Sequence, residues 1–216
     1  MKRAIIVANG KMKEPVEFLS YLKTSTLIIA ADGGVHNCKT LGLQPQVIIG
    51  DLDSMSSTEV TDYQQAGVKV IQYPTHKDET DLELALRYVM EQEFSDVIII
   101  GGLGARWDMT IDNILLIAHP MFSGLKIHML DGTQELLMFR AAERSPINGR
   151  PGDTISLIPL TGDVSGITTE GLEYPLKDET LYFGTSRGVS NVLLQEQAQV
   201  FFRQGLLLCI INRDVV

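Results

Sequence analysis

Five short apolar runs, at residues 4–8, 27–30, 47–49, 68–71 and 97–100, constrain this chain more than any other feature. Most are continuous rather than alternating, which is the pattern of strands covered on both faces in a parallel sheet. Each ends in a turn-forming pair or triplet: Asn9-Gly10, Asp32-Gly33-Gly34, Gly50-Asp51, Tyr73-Pro74 and Gly101-Gly102. Between the runs lie segments with helical spacing, such as Leu82, Ala85, Leu86 and Val89. Strand–helix alternation predicts an α/β domain with a doubly wound, mostly parallel sheet over residues 1–131.

Beyond residue 131 the helical spacing fades, and β-rich runs appear at 135–139, 154–158, 180–183, 199–202 and 206–211. Turn signals separate them: Asn148-Gly149, Pro151-Gly152, Thr161-Gly162-Asp163 and Gly184-Thr185-Ser186. Residues 132–216 are therefore expected to form a smaller all-β sandwich. A length of 216 residues suits two such domains.

Charge and cysteine content narrow the partners. The net charge of −9 disfavours nucleic acid, whose phosphate backbone it would repel. An acidic protein that handles phosphates needs a bridging cation. No apolar run approaches the roughly 20 residues of a membrane-spanning helix. The start, Met1-Lys2-Arg3 and the short run after it, reads as a first strand rather than a secretory signal. Cys38 and Cys209 lack metal-binding or disulfide-framework spacing, and a reducing cytoplasm is the expected compartment.

Ligands of a parallel sheet bind beyond the carboxyl ends of its strands, and here those positions are rich in acids and glycines. Asp32-Gly33-Gly34 follows the second run, and Gly50-Asp51-Leu52-Asp53-Ser54 follows the third. In an extended backbone the alternate residues Asp51 and Asp53 point to one side. His76-Lys77-Asp78-Glu79-Thr80-Asp81 follows the fourth, and Asp78 and Asp81 would share a helical face. Gly101-Gly102-Leu103-Gly104-Ala105-Arg106-Trp107-Asp108 follows the fifth. Crowded carboxylates repel unless protonated or bridged by a cation, and oxygen donors without His or Cys suit magnesium. Asp51, Asp53, Asp78 and Asp81 are the expected metal ligands. Lys77 and Arg106 offer positive groups to phosphate oxygens, while Gly33, Gly34, Gly102 and Gly104 permit close backbone approach. This set suits phosphoryl or pyrophosphoryl transfer.

Each motif also has a purely structural reading. Asp32-Gly33-Gly34 could be only a turn, and Asp51 and Asp53 a solvated loop. Asp78 could cap a helix with Asp81 in its first turn, and Asp108 could cap the helix starting near Trp107. The third glycine of a dinucleotide fingerprint is missing, as is the Gly-x-x-x-x-Gly-Lys motif of P-loop enzymes. Convergence of four segments on one sheet edge is what favours a site.

Taken in order, the four segments resemble the thiamine pyrophosphokinase family, whose pattern has an Asp-Gly-Gly turn, Gly-Asp-Phe-Asp-Ser, Lys-Asp-x-Thr-Asp and Gly-x-x-Gly-[Gly/Ala]-Arg-x-Asp. Arg187-Gly188-Val189-Ser190-Asn191 is similar to the family's signature in its β domain. Three positions depart from the pattern: Leu52 replaces Phe, His76 stands where an acid often precedes Lys77, and Met109 stands where bacterial members often have His. The resemblance implies a homodimer with thiamine bound between subunits. It also implies transfer of diphosphate from ATP to the thiamine hydroxyl, leaving AMP. It assigns Asp53, Asp81, Arg106 and Asp108 to catalysis, with Asp108 orienting the hydroxyl and accepting its proton. Asp32, the glycines, Lys77 and Arg106 would hold ATP, and Ser190 and Asn191 would hydrogen-bond the aminopyrimidine, although alone they read as a β-turn. Three other readings use the same residues: a kinase of another small alcohol, a non-catalytic nucleotide-sensing module, and a Rossmann dehydrogenase. The intact acid pairs argue against the second and the missing glycine against the third.

Overall fold

A computed structural model of the chain describes residues 2–13, 21–22, 25–104 and 106–213. Met1 of the expected first strand and Ala105 of the glycine–arginine segment lie outside the described residues. The chain divides into two compact units, Met1–Gly132 and Thr133–Val216.

The first unit contains strands β1 (Arg3–Val7), β2 (Ser25–Ala31), β3 (Val47–Gly50), β4 (Lys69–Gln72), β5 (Asp96–Ile100) and β6 (Lys126–Asp131). They run parallel in the order β6-β5-β1-β2-β3-β4. All five apolar runs thus become strands. The continuous pattern has the expected cause: Ile5, Ile6, Val7, Ile98, Ile99 and Ile100 are completely buried. Strand β6 leaves no continuous apolar run in the sequence, because Lys126 and His128 interrupt its apolar residues. The chain leaves β1 towards β2 and later returns to β1's other flank with β5. The carboxyl ends of β1 and β5 therefore mark the switch point of the sheet.

Helices α1 (Gly34–Thr40), α2 (Ser57–Gln65), α3 (Asp81–Glu91) and α4 (Trp107–Ala118) join these strands. Ser56 and Glu59 form a reciprocal capping box that starts α2. In α3 the hydroxyl of Thr80 accepts from Glu83 N at 3.2 Å, satisfying one orphan donor of the first turn. Leu82, Ala85, Leu86 and Val89, read from the sequence as one helical face, are all buried there. This face packs on β1, β2 and β3. It fixes the helix start, and hence Asp81, relative to the ends of those strands.

The second unit has two antiparallel sheets, in the orders β12-β9-β14-β7 and β11-β10-β13-β8. Their strands are β7 (Gln134–Arg140), β8 (Ser145–Asn148), β9 (Thr154–Pro159), β10 (Val164–Glu170), β11 (Glu179–Leu181), β12 (Asn191–Val192), β13 (Gln197–Phe201) and β14 (Leu206–Asn212). Leu137, Ile155, Leu157 and Cys209 of one sheet and Ile147, Ile167 and Val200 of the other share one core, so the unit is a sandwich. The five β-rich runs fall on β7, β9, β11, β13 and β14. Strands β8 and β10 leave no clear sequence trace for local reasons, and β12 is only two residues long. Pro146 breaks the strand signal of β8, which sits at a sheet edge where proline is tolerated. Strand β10 is mostly polar and contains Gly166 at φ +68.

Leu86 has no exposed surface, so Leu86→Ala should lower unfolding free energy by about 3 kcal/mol in urea titration. A loss below about 1 kcal/mol would mean that α3 is not anchored by this face.

Candidate active site

The carboxyl end of β2 turns sharply at Asp32, whose φ is +41 and whose N–H donates to Ile49 O at 2.7 Å. That bond sets Asp32 beside the end of β3. Gly50 makes the approach possible, because a Cβ there would lie 2.7 Å from Asp32 Cβ. Asp51 follows, and its Oδ1 accepts from Asp53 N at 3.2 Å. Between them Leu52 adopts φ +67, a region costly for a bulky residue, with its side chain buried. This corrects the expectation of an extended Asp51–Asp53 segment. The two acids face together because a tight turn pinned by Leu52 folds them back. One carboxylate oxygen from each of Asp32, Asp51 and Asp53 lies within 4.8 Å of the others.

Asp32 was expected among the phosphate-binding turn residues, yet it is the most buried of the three acids. Its Oδ1 is buried and accepts no hydrogen bond among the described residues. The charges of Asp51 and then Asp32 raise the Asp53 carboxyl above its ordinary value. Lys77 partly offsets this crowding. Its ammonium is 3.1 Å from Asp81 Oδ1 and 3.9 Å from Asp51 Oδ2. Burial raises the Asp81 carboxyl, and the Lys77 hydrogen bond and charge oppose that shift. Lys77 pairs with Asp51 and Asp81, while Asp32 and Asp53 crowd Asp51, so the local charge stays negative. Three converging acid oxygens, one buried and without a donor, fit a hard divalent cation that prefers oxygen ligands.

Asp78 stands apart. It is exposed, precedes α3, and is not in the converging trio. Thr80 is the N-cap and Asp81 the first helical residue, so Asp78 neither caps α3 nor shares a helical face with Asp81.

The glycines serve close packing of the protein against itself. A Cβ at Gly34 would lie 1.9 Å from Val7 O, and one at Gly33 would meet the Asn9 amide at 2.2 Å. Asn37 Nδ2 donates to Ala8 O at 2.7 Å and Gly10 O at 3.1 Å, tying α1 to the end of β1. Gly102 O accepts from Asn113 Nδ2 at 2.7 Å, and Gly104 N donates to Thr110 Oγ1 at 3.1 Å. These contacts shape the β5–α4 loop. Beyond it, Arg106 is the N-cap of α4 and forms a two-pronged pair with Asp108, at 3.1 Å and 2.5 Å. The guanidinium holds the Asp108 carboxyl down at about 2, with the Met109 N–H adding to the effect.

In the second unit, Ser190 has φ +59 and is exposed, while Asn191 is buried. Asn191 Oδ1 accepts from Tyr174 N at 3.0 Å and from Val192 N at 2.9 Å, and its Nδ2 donates to Tyr174 O at 2.8 Å. Its carbonyl oxygen is thereby filled by the protein's own backbone.

The raised Asp53 carboxyl has a definite sign in stability. Its favourable contribution is complete below the unfolded value of 3.8 and is lost as pH rises through the higher folded value. Asp53→Asn removes that loss at neutral pH. The metal-free variant should melt at the same temperature as the unaltered protein or higher, while magnesium should raise the melting temperature of the unaltered protein only. A lower metal-free melting temperature for the variant would contradict this electrostatic account.

Family profiles match both units. One described as "Thiamin pyrophosphokinase, catalytic domain" covers residues 18–129, and one described as "Thiamin pyrophosphokinase, vitamin B1 binding domain" covers 144–207. The chain is 29% identical over 214 residues to the thiamine pyrophosphokinase of Bacillus subtilis, covering 99% of this chain and 100% of that protein. The crystal structure of Bacillus subtilis thiamine pyrophosphokinase superposes with a TM-score of 0.87, over 99% of this chain and 100% of that one, at 29% identity. A thiamin pyrophosphokinase family protein from Enterococcus faecalis, 24% identical, shares the fold at a TM-score of 0.84 over 100% of both chains. The order of motifs, the two-unit architecture and both profiles agree: the chain belongs to the thiamine pyrophosphokinase family.

Proposed function

We propose that this chain transfers the terminal diphosphate of ATP to the hydroxyl of thiamine, giving thiamine diphosphate and AMP. The observation that carries the reading is the convergence of Asp32, Asp51 and Asp53, in a chain of this family, at the carboxyl edge of a parallel sheet. Asp32, Asp51 and Asp53 are the residues we assign to a magnesium ion. Asp81 completes their acidic surround through Lys77. Bound there, magnesium would neutralise charge on phosphate oxygens and favour their displacement chemistry.

In the reaction the thiamine hydroxyl oxygen forms a bond to the β-phosphorus as the bond from that phosphorus to the bridging oxygen breaks. AMP departs with the bridging oxygen, and the hydroxyl proton passes to solvent or a nearby carboxylate. Lys77 has a nearly buried ammonium, 11% exposed, that can follow negative charge as it moves onto the departing phosphate. Arg106 is exposed and offers a planar fork to the triphosphate. Asp108, held at low proton affinity, suits the task of orienting that fork rather than that of a base. Ser190 offers an exposed hydroxyl in the second unit, where we place recognition of thiamine. Thiamine is cationic, and the acidic protein favours its approach.

We place the enzyme in the cytoplasm as a homodimer. Among the described residues no helix is long and apolar enough to cross a membrane. The exposed side chains of Trp107, Ile111 and Leu115 follow one face of α4 and give such a dimer an apolar surface.

Incubation with ATP, magnesium and thiamine should yield AMP and thiamine diphosphate in equal amounts. Asp51→Asn should lower kcat about 100-fold or more with an unchanged far-ultraviolet circular dichroism spectrum. ADP as the nucleotide product would identify a single-phosphoryl kinase instead, and near-normal turnover of Asp51→Asn would remove that residue from the site.

A further inference from the structure

The loop after β1, Asn9-Gly10-Lys11-Met12-Lys13, carries two lysines and no acid. It leaves the sheet at the switch point, where β1 and β5 end. Its backbone is held at both ends. Gly10 N donates to Gly101 O at 2.8 Å, and Gly10 O accepts from Asn37 Nδ2 at 3.1 Å. Lys13 N donates to Asp131 Oδ1 at 3.1 Å, and Lys13 O accepts from Gly132 N at 3.2 Å, which anchors Lys13 at the end of β6. Met12, between the lysines, packs on the core that contains Val7, Ala30 and Leu130. The loop borders both halves of the candidate site. On one side the Asn9 amide lies close against Gly33, next to Asp32 of the acidic trio. On the other, a Cβ at Gly104 would lie 3.2 Å from Lys11 O, in the loop that leads to Arg106. Lys11 and Lys13 are exposed, and among the described residues neither pairs with a carboxylate.

We infer that Lys11 is a binding residue for the phosphate chain of the nucleotide, meeting it on the flank of the acidic trio opposite Lys77. The inference deepens the proposed function and rests on its ATP-binding part. Lys77 follows β4 and sits against the β3 loop, whereas Lys11 follows β1, on the other side of Asp32 in the strand order. Charge makes a second cation necessary. Asp32, Asp51, Asp53 and Asp81 outweigh Lys77, and one divalent ion cannot offset both that excess and a triphosphate. Arg106 is already shared with Asp108. The Lys11 ammonium is a compact charge with three donors, able to follow phosphate oxygens on a flexible stem. The bonds at Gly10 and Lys13 and the packing of Met12 fix the backbone beneath it, so less freedom is lost when an anion is bound. Lys13, anchored two strands further out at β6, supplies the far end of the loop rather than a phosphate contact.

Titration calorimetry with magnesium–ATP, without thiamine, reads Lys11 apart from turnover. Lys11→Met keeps an unbranched stem, removes the charge, and should weaken ATP binding about tenfold. Lys11→Arg restores the charge and should stay within about threefold of the unaltered protein. Lys13→Met removes the same charge from the same loop and should change ATP binding by less than about twofold. In steady-state kinetics Lys11→Met should raise the KM for ATP about tenfold and leave the KM for thiamine within about twofold. Added potassium chloride should narrow the gap between Lys11→Met and the unaltered protein, because the lost interaction is between charges. ATP binding within about twofold in Lys11→Met overturns the inference. An equal loss in Lys13→Met also overturns it, since the effect would then be a diffuse field rather than a contact. An unaltered protein that binds magnesium–ATP in this Lys11-dependent way but makes no AMP discards the diphosphate transfer and keeps the role of Lys11.

Discussion

Mutual repulsion among Asp32, Asp51 and Asp53 is the constraint around which the first unit is built. Their carboxylate oxygens are held within 4.8 Å of one another, where like charges oppose folding unless a cation or proton intervenes. Rigid backbone enforces the arrangement. Asp32 is tied to β3 by its own N–H, Gly50 gives it room, and buried Leu52 pins the reversal between Asp51 and Asp53. The local cost is offset by the surrounding core of fully buried isoleucines and valines in β1, β2, β3 and β5. A stable sheet thus holds an unstable constellation of charge in place, which is a common way to pre-organise a metal–phosphate site.

Lys77 connects this cluster to α3. Its single ammonium lies between Asp51 and Asp81, so the helix start and the β3 loop share one counter-charge. The buried face of α3 against β1, β2 and β3 sets the position of Asp81, and the hydroxyl cap of Thr80 sets where the helix begins. Packing far from the cluster is therefore coupled to its geometry. By contrast, Arg106 and Asp108 are exposed and bonded mainly to each other, which suits groups that contact a ligand at the surface.

Continuous apolar runs revealed all five of the first strands because burial on both faces of a parallel sheet leaves so direct a trace. Strand β6 was hidden by Lys126 and His128, and β8 and β10 by proline, glycine and polar residues that antiparallel edges and bulges tolerate. The site was legible in its residue types but less so in its geometry. Asp51 and Asp53 do come together, through a left-handed Leu52 that alternation rules cannot foresee. Asp32 resembled a simple turn residue. The useful signal was Gly50, a small residue at the end of the neighbouring strand where Asp32 has to fit. Spacing alone groups Asp78 with Asp81, and the Thr80 cap separates them. Asn191 is assigned to the aminopyrimidine by resemblance, and sequence does not show that Tyr174, 17 residues earlier, hydrogen-bonds its amide.

Magnesium binding measured by titration calorimetry, on Asp32→Asn and Asp78→Asn proteins side by side, tests the central claim most directly. The acidic trio predicts that Asp32→Asn abolishes detectable binding while Asp78→Asn binds within about threefold of the unaltered protein. The reverse pattern, with Asp32→Asn binding normally and Asp78→Asn failing to bind, would contradict it.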